Sequence, residues 1–325
     1  MNILTVTFRI LPLTPPPHYQ LITGDKMENK KLLLIVNPCS GKAKMYTELL
    51  KVVEVFSNSD YLVTVYPTKS KGDATDFVKK LNHNDYDLIV VCGGDGTLNE
   101  VIEGIMNSEN NIPLGYIPSG TLNEWSSGLN ISRNIETAAK DIVSGKKTRL
   151  DIGKFNDKYF SYTASFGAFT SASYSAPQEV KNVLGQSAYF FEGIKSLAAI
   201  KPIHMKLTSD DGVIEGDFLF GAISNSLSVG GIVKYDKTPV GLNDGIFEVI
   251  LIRNPDNIVK LQPLVDGILK HEFNREGMEF FRTNKLIIEA DEEVSWTLDG
   301  EYVKGDGPIT MENIHGAITF IIPEI

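Results

Sequence analysis

Three glycines and one carboxylate share a single short stretch, Gly93-Gly94-Asp95-Gly96-Thr97, followed by Leu98-Asn99-Glu100. Residues without a Cβ let a backbone come close to phosphate oxygens. Asp95, in their midst, would repel phosphate unless a divalent cation bridged the two charges. The stretch therefore points to a Mg2+–nucleotide rather than to NAD. It also departs from the dinucleotide fingerprint G-x-G-x-x-G, because Asn99 stands where the third glycine belongs. A local role runs beside this one: Thr97 reads as the N-cap of a helix, with Glu100 closing a capping box.

Three further loops could join that chemistry. Asn37-Pro38-Cys39-Ser40-Gly41-Lys42 is small and polar and can turn backbone N–H groups toward an anion. It is not a Walker A loop, because no glycine precedes it at the required spacing and Ala43 follows Lys42. Taken alone it reads as a plain turn. Pro118-Ser119-Gly120-Thr121-Leu122-Asn123-Glu124 offers the Thr121 hydroxyl, the Asn123 amide and the Glu124 carboxylate to a nucleotide, or else simply starts a helix. Asp299-Gly300-Glu301 reads first as a hairpin turn. A carboxylate at such a turn could also act as general base toward a hydroxyl nucleophile.

The first three loops follow apolar runs that read as strands. Residues 31–36 (KLLLIV) and 87–91 (DLIVV) are continuous enough for strands buried on both faces, 61–66 alternates, and 113–117 forms a fourth short strand. Helices are expected between them: one over 44–57 with Leu49, Val52, Val53 and Phe56 on one face, one after Gly72 carrying Ala74, Phe77, Val78 and Leu81, and one carrying Leu98, Val101, Ile102 and Ile105. Strands alternating with helices imply a parallel α/β sheet, which binds ligands at the carboxyl ends of its strands. Near Arg149 the pattern changes. Segments 148–155, 158–167, 203–209, 213–224, 246–252, 284–289, 294–298 and 317–322 read as strands with turns such as Asp210-Asp211-Gly212 between them. Helices are expected at 178–199 and 256–270. The chain thus divides into an α/β domain over 27–149 and a mostly antiparallel β domain, a β-sandwich, over 150–325, whose last strand returns to the first domain. Residues 1–26 contain Thr14-Pro15-Pro16-Pro17 and no periodicity, and Met27 precedes the first strand. They read as a disordered or non-native leader.

Composition narrows the classes. A net charge of −10 argues against nucleic acid as the main partner. Two cysteines, Cys39 and Cys92, give no disulfide framework; they read as two small buried residues in a chain from a reducing, cytoplasmic compartment. No apolar run reaches the roughly 18 residues of a membrane span. His18, His83, His204, His271 and His315 show no metal-ligand spacing, which disfavours a metal hydrolase. No G-x-S-x-G elbow is present for a serine hydrolase.

The four loops, in this order, resemble the diacylglycerol kinase catalytic-domain family of lipid kinases, whose soluble bacterial members look most similar and whose fold is related to NAD kinases. The resemblance runs from about Lys31 to the C-terminus. It implies that Asn37, Pro38, Cys39, Ser40, Gly41, Thr68, Gly93, Gly94, Asp95, Gly96, Thr97, Asn99, Thr121 and Asn123 line an ATP site. It also implies that Asp95 acts on the Mg2+–phosphate cluster and that Glu301 takes the proton from a lipid hydroxyl. Gly241-Leu242-Asn243-Asp244-Gly245-Ile246 matches a structural Mg2+ site, with the Asp244 carboxylate and the carbonyls of Gly241 and Ile246 as ligands; on the residues alone it is a turn. The implied reaction is in-line transfer of the γ-phosphoryl group of ATP to a lipid, diacylglycerol by default, giving phosphatidic acid. A homodimer and transient, peripheral membrane contact go with it.

Two positions depart from the family's pattern. Glu124 stands where aspartate is usual, which keeps the charge and lengthens the arm, and Cys39 replaces a small hydroxyl residue. For membrane access, 178–199 carries Tyr189 and Phe190 off its main apolar stripe, with Lys181, Lys195, Lys201 and Lys206 nearby. This reads as an interfacial patch or as a helix packed on both sides. Two rival functions stand beside the lipid kinase. An NAD kinase would share the Gly93–Thr97 loop, but the Gly120–Asn123 and Asp299–Glu301 segments disfavour it. A nucleotide-binding regulator without turnover draws support only from Glu124.

Overall fold

The computed structural model describes residues 30–40, 44–120, 123–167, 201–226, 228–229, 233–234, 241–255, 260, 263–264, 267, 270, 272–273 and 275–324. The expected leader, the helix at 178–199, most of the helix at 256–270, and Gly41 and Thr121 lie outside the described residues. The chain separates into two compact units. One runs to Thr148 and includes Ile318–Ile325; the other is Arg149–Ala317.

The first unit alternates strands and helices: β1 (Lys30–Val36), α1 (Lys44–Ser57), β2 (Tyr61–Pro67), α2 (Asp73–Val78), β3 (Leu88–Gly93), α3 (Asp95–Met106), β4 (Leu114–Pro118), α4 (Glu124–Gly128) and α5 (Ile135–Ser144). The strands lie parallel in the order β2-β1-β3-β4. Every residue of β3 and β4 is buried, as the continuous apolar runs require of strands covered on both faces. Helix α3 buries Leu98, Val101, Ile102 and Ile105, the stripe its sequence predicts. Helix α5 is capped by Asn134, whose side chain accepts the Thr137 N–H at 2.9 Å, and it lies so close to β4 that a Cβ on Gly115 would stand 3.0 Å from Ile142. Helix α2 is shorter than expected and leaves out Leu81. The chain turns instead at Asn82, whose N–H donates to the Asp85 carboxylate at 2.8 Å.

The remaining strands are β5 (Lys146–Phe155), β6 (Lys158–Phe160), β7 (Thr163–Gly167), β8 (Ile203–Ser209), β9 (Gly212–Ser224), β10 (Ser228–Val229), β11 (Val233–Lys234), β12 (Phe247–Arg253), β13 (Met278–Thr283), β14 (Lys285–Ala290), β15 (Val294–Leu298), β16 (Glu301–Gly305) and β17 (Ile309–Ile322). In the second unit they pair β16-β15-β7-β9-β8-β14-β17, with β12 beside β9 and β13. Nearly all these pairings are antiparallel. Strand β9 changes neighbours along its length, pairing with β8 over Gly212–Phe218 and with β7 over Phe220–Ser224. The core is aromatic at its centre. Trp296, fully buried, meets Phe166 and Phe155 edge-on at 4.9 and 5.3 Å.

Two sequence expectations change here. The strand foreseen over 158–167 is two strands, because the Ser161 and Tyr162 N–H groups donate to Asp299 instead of to a ladder. The last strand is fourteen residues long, not six. It pairs with β14 in the second unit, and its end lies beside β4 in the first, Phe320 opposite Leu114. There Phe320, fully buried, stacks on Trp125 at 5.2 Å. Phe320→Ala is expected to cost about 3–5 kcal/mol of stability in the first unit, seen as a lower urea midpoint for Trp125 fluorescence.

Candidate functional site

The parallel register brings four loops to one edge. Val36 lies beside both Pro67 and Cys92, and Gly93 beside Pro118, so β1 to β4 end level with one another. The ladder continues one step into each loop. Asn37 N–H donates to the Cys92 carbonyl at 2.9 Å, Thr68 N–H to Val36 at 2.9 Å and Ser119 N–H to Gly93 at 2.8 Å. From β1 the chain passes to β2 on one side and to β3 on the other. The β1/β3 boundary is thus the topological switch point, where open α/β sheets bind ligands. Asn37 and Gly94 stand there.

Side chains then lock the loops together. Asn37 accepts the Cys39 N–H on its Oδ1 and donates from Nδ2 to the Thr97 hydroxyl, both at 2.9 Å. The Ser40 and Ser119 hydroxyls are hydrogen-bonded to each other. The nearest approach is between backbones. A Cβ on Gly120 would stand 2.6 Å from the Gly94 Cα and 2.7 Å from Asn123 Oδ1. Asn123, buried and in the left-handed region at φ 52°, holds this approach from beneath. Its Oδ1 accepts from Tyr116 Oη at 3.1 Å and from Gly120 N–H at 3.0 Å, while Nδ2 donates to the Gly120 carbonyl at 2.8 Å. The Asn37 and Asn123 amides are therefore spent on the loops, and the surface such loops can turn to an anion is made of backbone N–H groups.

Helix α3 starts one turn earlier than the Thr97 N-cap expected from sequence. Gly94 is the N-cap, and it supplies no side-chain cap. The capping box is absent for a physical reason: both intended partners are engaged elsewhere. Thr97, nearly buried, is bonded to Asn37, and a Cβ on Gly93 would come within 2.7 Å of its Cβ. The Glu100 carboxylate accepts the N–H groups of Gly72 and Ala74 at 2.8 and 3.3 Å, and so tethers the start of α2 to α3. Asp95 takes the first helical position, half-buried, where the amide dipoles favour negative charge.

Burial shapes the titratable groups beneath these loops. It pushes the Tyr116 hydroxyl well above the usual tyrosine range, with the Asp95 carboxylate adding to the effect. It pushes the Cys92 thiol up to about 12, against a smaller opposing pull from its hydrogen bond to Ser119. Cys92 is thus buried, as expected. Cys39 is exposed, contrary to expectation, because its N–H closes a turn on Asn37 that points the residue outward.

In the second unit Asp299 and Gly300 form the expected two-residue turn, at φ 49° and 87°, between Leu298 and Glu301. The Asp299 carboxylate accepts three successive N–H groups, from Ser161, Tyr162 and Thr163, at 2.5, 3.0 and 2.9 Å. It fixes the turn from which Glu301, exposed at the head of β16, projects. Asp151 performs a similar task for the segment Gly241–Ile246. Fully buried, it accepts from Gly245 N–H at 2.7 Å, Gly316 N–H at 2.6 Å and His315 Nδ1 at 3.1 Å. Asp244 is exposed but partnered. Its Oδ1 accepts the Ile246 N–H at 3.1 Å and its Oδ2 the Arg282 guanidinium at 2.6 Å.

Of the residues predicted for the nucleotide, Asn37, Pro38, Cys39, Ser40, Thr68, Gly93, Gly94, Asp95, Gly96, Thr97, Asn99 and Asn123 belong to the end of β3, to loops or to the first two turns of α3 at this one edge. Tyr116, Ser119, Asp151 and Arg282 were not singled out. Their partners are 7 to 165 residues away, and no local pattern announces such pairs. Gly120→Ala is expected to keep the fold and weaken nucleotide binding about tenfold or more, measured by titration with a fluorescent ATP analogue. Asn123→Ala is expected to cost about 1–3 kcal/mol, because it strips a partner from the buried Tyr116 hydroxyl, measured by urea unfolding.

Residues 31–155 match the family model described as the diacylglycerol kinase catalytic domain, and 164–322 match the YegS C-terminal NAD kinase beta sandwich-like domain. A diacylglycerol kinase of Bacillus subtilis (strain 168) is 30% identical over 296 residues, covering 91% of this chain and 97% of that protein. One from Staphylococcus aureus (strain MRSA252) is 31% identical over 295 residues, covering 90% and 93%. A crystal structure of a diacylglycerol kinase from Bacillus anthracis str. Sterne aligns with a TM-score of 0.72 at 26% identity, covering 91% of this chain and 98% of the other. With two domain models matching most of the chain and relatives matched nearly end to end, the chain belongs to the diacylglycerol kinase catalytic-domain family of lipid kinases.

Proposed function

We propose that this chain transfers the γ-phosphoryl group of ATP to the hydroxyl of diacylglycerol, giving phosphatidic acid. ATP use goes with membership of a kinase family. The observation that carries the reading is the Gly94–Gly120 approach between the ends of β3 and β4, beside the β1/β3 switch point. It presents backbone amides and one carboxylate, Asp95, at a single edge. Amides suit phosphate oxygens, and a lone carboxylate among them suits a phosphate-bound cation.

The residues present fit Mg2+ at this place, because Asp95 stands half-buried at the first position of α3 beside the glycine-rich turn. When bound with ATP, Mg2+ would neutralise charge on the transferring phosphoryl group. The chain's own contribution is positioning. Asn37, Asn123 and the Ser40–Ser119 pair hold the loops, and Asp95 orients the phosphate cluster. Glu301 accepts the proton of the acceptor hydroxyl, and Asp299 holds Glu301's turn in place.

No helix among the described residues is long and apolar enough to cross a membrane. A lipid acceptor then calls for peripheral contact with the bilayer. Two of the lysines expected to serve that contact are engaged in ion pairs, Lys201 with Glu292 at 3.3 Å and Lys206 with Glu289 at 3.7 Å. Tyr189, Phe190, Lys181 and Lys195 lie outside the described residues. A homodimer, carried only by the family resemblance, is checked by light scattering.

The deciding experiment incubates the protein with labelled ATP and a panel of acceptors in mixed micelles, with NAD as the soluble control. Label in phosphatidic acid is expected. Label in NADP, or none in any product, would reject the assignment. Glu301→Gln should lower kcat by about 10²–10⁴ with ATP binding intact. Asp95→Ala should abolish turnover without loss of the folded state, read by circular dichroism.

A further inference from the structure

The segment Gly241–Ile246 resembles a structural Mg2+ site, yet in this chain its one carboxylate is already occupied. Asp244 Oδ2 lies 2.6 Å from an Arg282 guanidinium nitrogen, and Oδ1 accepts the Ile246 N–H. Each oxygen of the carboxylate therefore already has one partner, and the one on Oδ2 is a cation. Magnesium requires near-octahedral oxygen coordination at about 2.0–2.1 Å. Among the described residues no three of His, Cys, Asp and Glu come together as a ligand group.

Arg282 is not a side chain that can swing aside cheaply. It stands on β13 directly opposite Glu248 of β12. Its Nε donates to Glu248 Oε1 at 3.0 Å. Glu248 is fully buried, and its Oε2 has no hydrogen-bond partner among the described residues. A carboxylate so placed depends on its cation, and removing one partner of a buried ion pair leaves an uncompensated charge. A divalent ion on Asp244 would also sit against the guanidinium, and the two positive charges would repel. The Gly241 and Ile246 carbonyls and a carboxylate facing Arg282 therefore do not fit the ion.

We propose that Arg282 is the built-in cation of this loop, bridging Asp244 to Glu248 where the resemblance implies a structural Mg2+. The planar guanidinium supplies directed N–H donors to two carboxylates at once, which a hydrated lysine ammonium would do less well. Asp151 holds the same loop from another side, its carboxylate accepting the Gly245 N–H and its own N–H donating to the Leu242 carbonyl at 3.0 Å. The metal requirement of the protein then reduces to the ion that travels with the nucleotide.

The test uses the full chain without nucleotide and reads melting temperature, so it is independent of whether the kinase reading holds. Wild type and Asp244→Ala are each melted in EDTA and in millimolar magnesium chloride. The expected result is the same magnesium-induced shift in both, including none. A stabilisation by magnesium that wild type shows and Asp244→Ala lacks would overturn the proposal. Arg282→Met, which vacates the Asp244 carboxylate, is expected to melt lower than wild type in EDTA. If that variant does not fold, the comparison of wild type with Asp244→Ala decides alone.

Discussion

Two backbones meet where β3 and β4 end, and the nucleotide-side architecture follows from that meeting. Gly94 and Gly120 approach so closely that a methyl group on either would press on the other's main chain. The approach is possible because the strands end level and because Asn123 draws Gly120 inward from below. Once it is made, Gly94 can cap α3 without a side chain, Asp95 falls at the first helical position, and Thr97 turns inward to Asn37. Each of these would shift if the two loops separated. The glycines thus serve loop-to-loop contact, beside the phosphate contact proposed for them.

The second unit reaches the same end by different means. Where the first unit brings backbones together, the second spends carboxylates, Asp299 half-buried and Asp151 fully buried. Asp299 gathers three consecutive N–H groups, and Asp151 gathers donors from Gly245, His315 and Gly316. A carboxylate accepting several amide hydrogens is satisfied without a cation, which makes such burial tolerable. Arg282 is the complementary device, one cation shared by two carboxylates.

Much of this could be read from residue order. Continuous apolar runs mark β1, β3 and β4, and helical spacing marks the buried stripe of α3, because those signals are local. The Asp299-Gly300 turn was legible for the same reason. What escaped is non-local. Thr97 followed by Glu100 satisfies the pattern of a capping box, yet Glu100 bonds to Gly72, 28 residues earlier. Ser161 and Tyr162 look like strand residues until Asp299, more than 130 residues away, takes their N–H groups. Asp244 reads as a turn residue or a ligand, and its ion-pair partner Arg282, 38 residues later and opposite Glu248 on the adjacent strand, has no local signal. Local propensity proposes partners, and tertiary competition chooses among them.

Strand β17 has a consequence for how the molecule is made. Its first residues pair with β14 in the second unit, while Phe320 sits beside β4 and under Trp125 in the first. A ribosome delivers β1 to β4 long before Phe320. The nucleotide-side unit therefore emerges with one edge of its sheet open, and it stays incomplete until Phe320 has left the exit tunnel. An exposed sheet edge is a template for unwanted pairing. The order of synthesis thus leaves β4 waiting for its neighbour during translation.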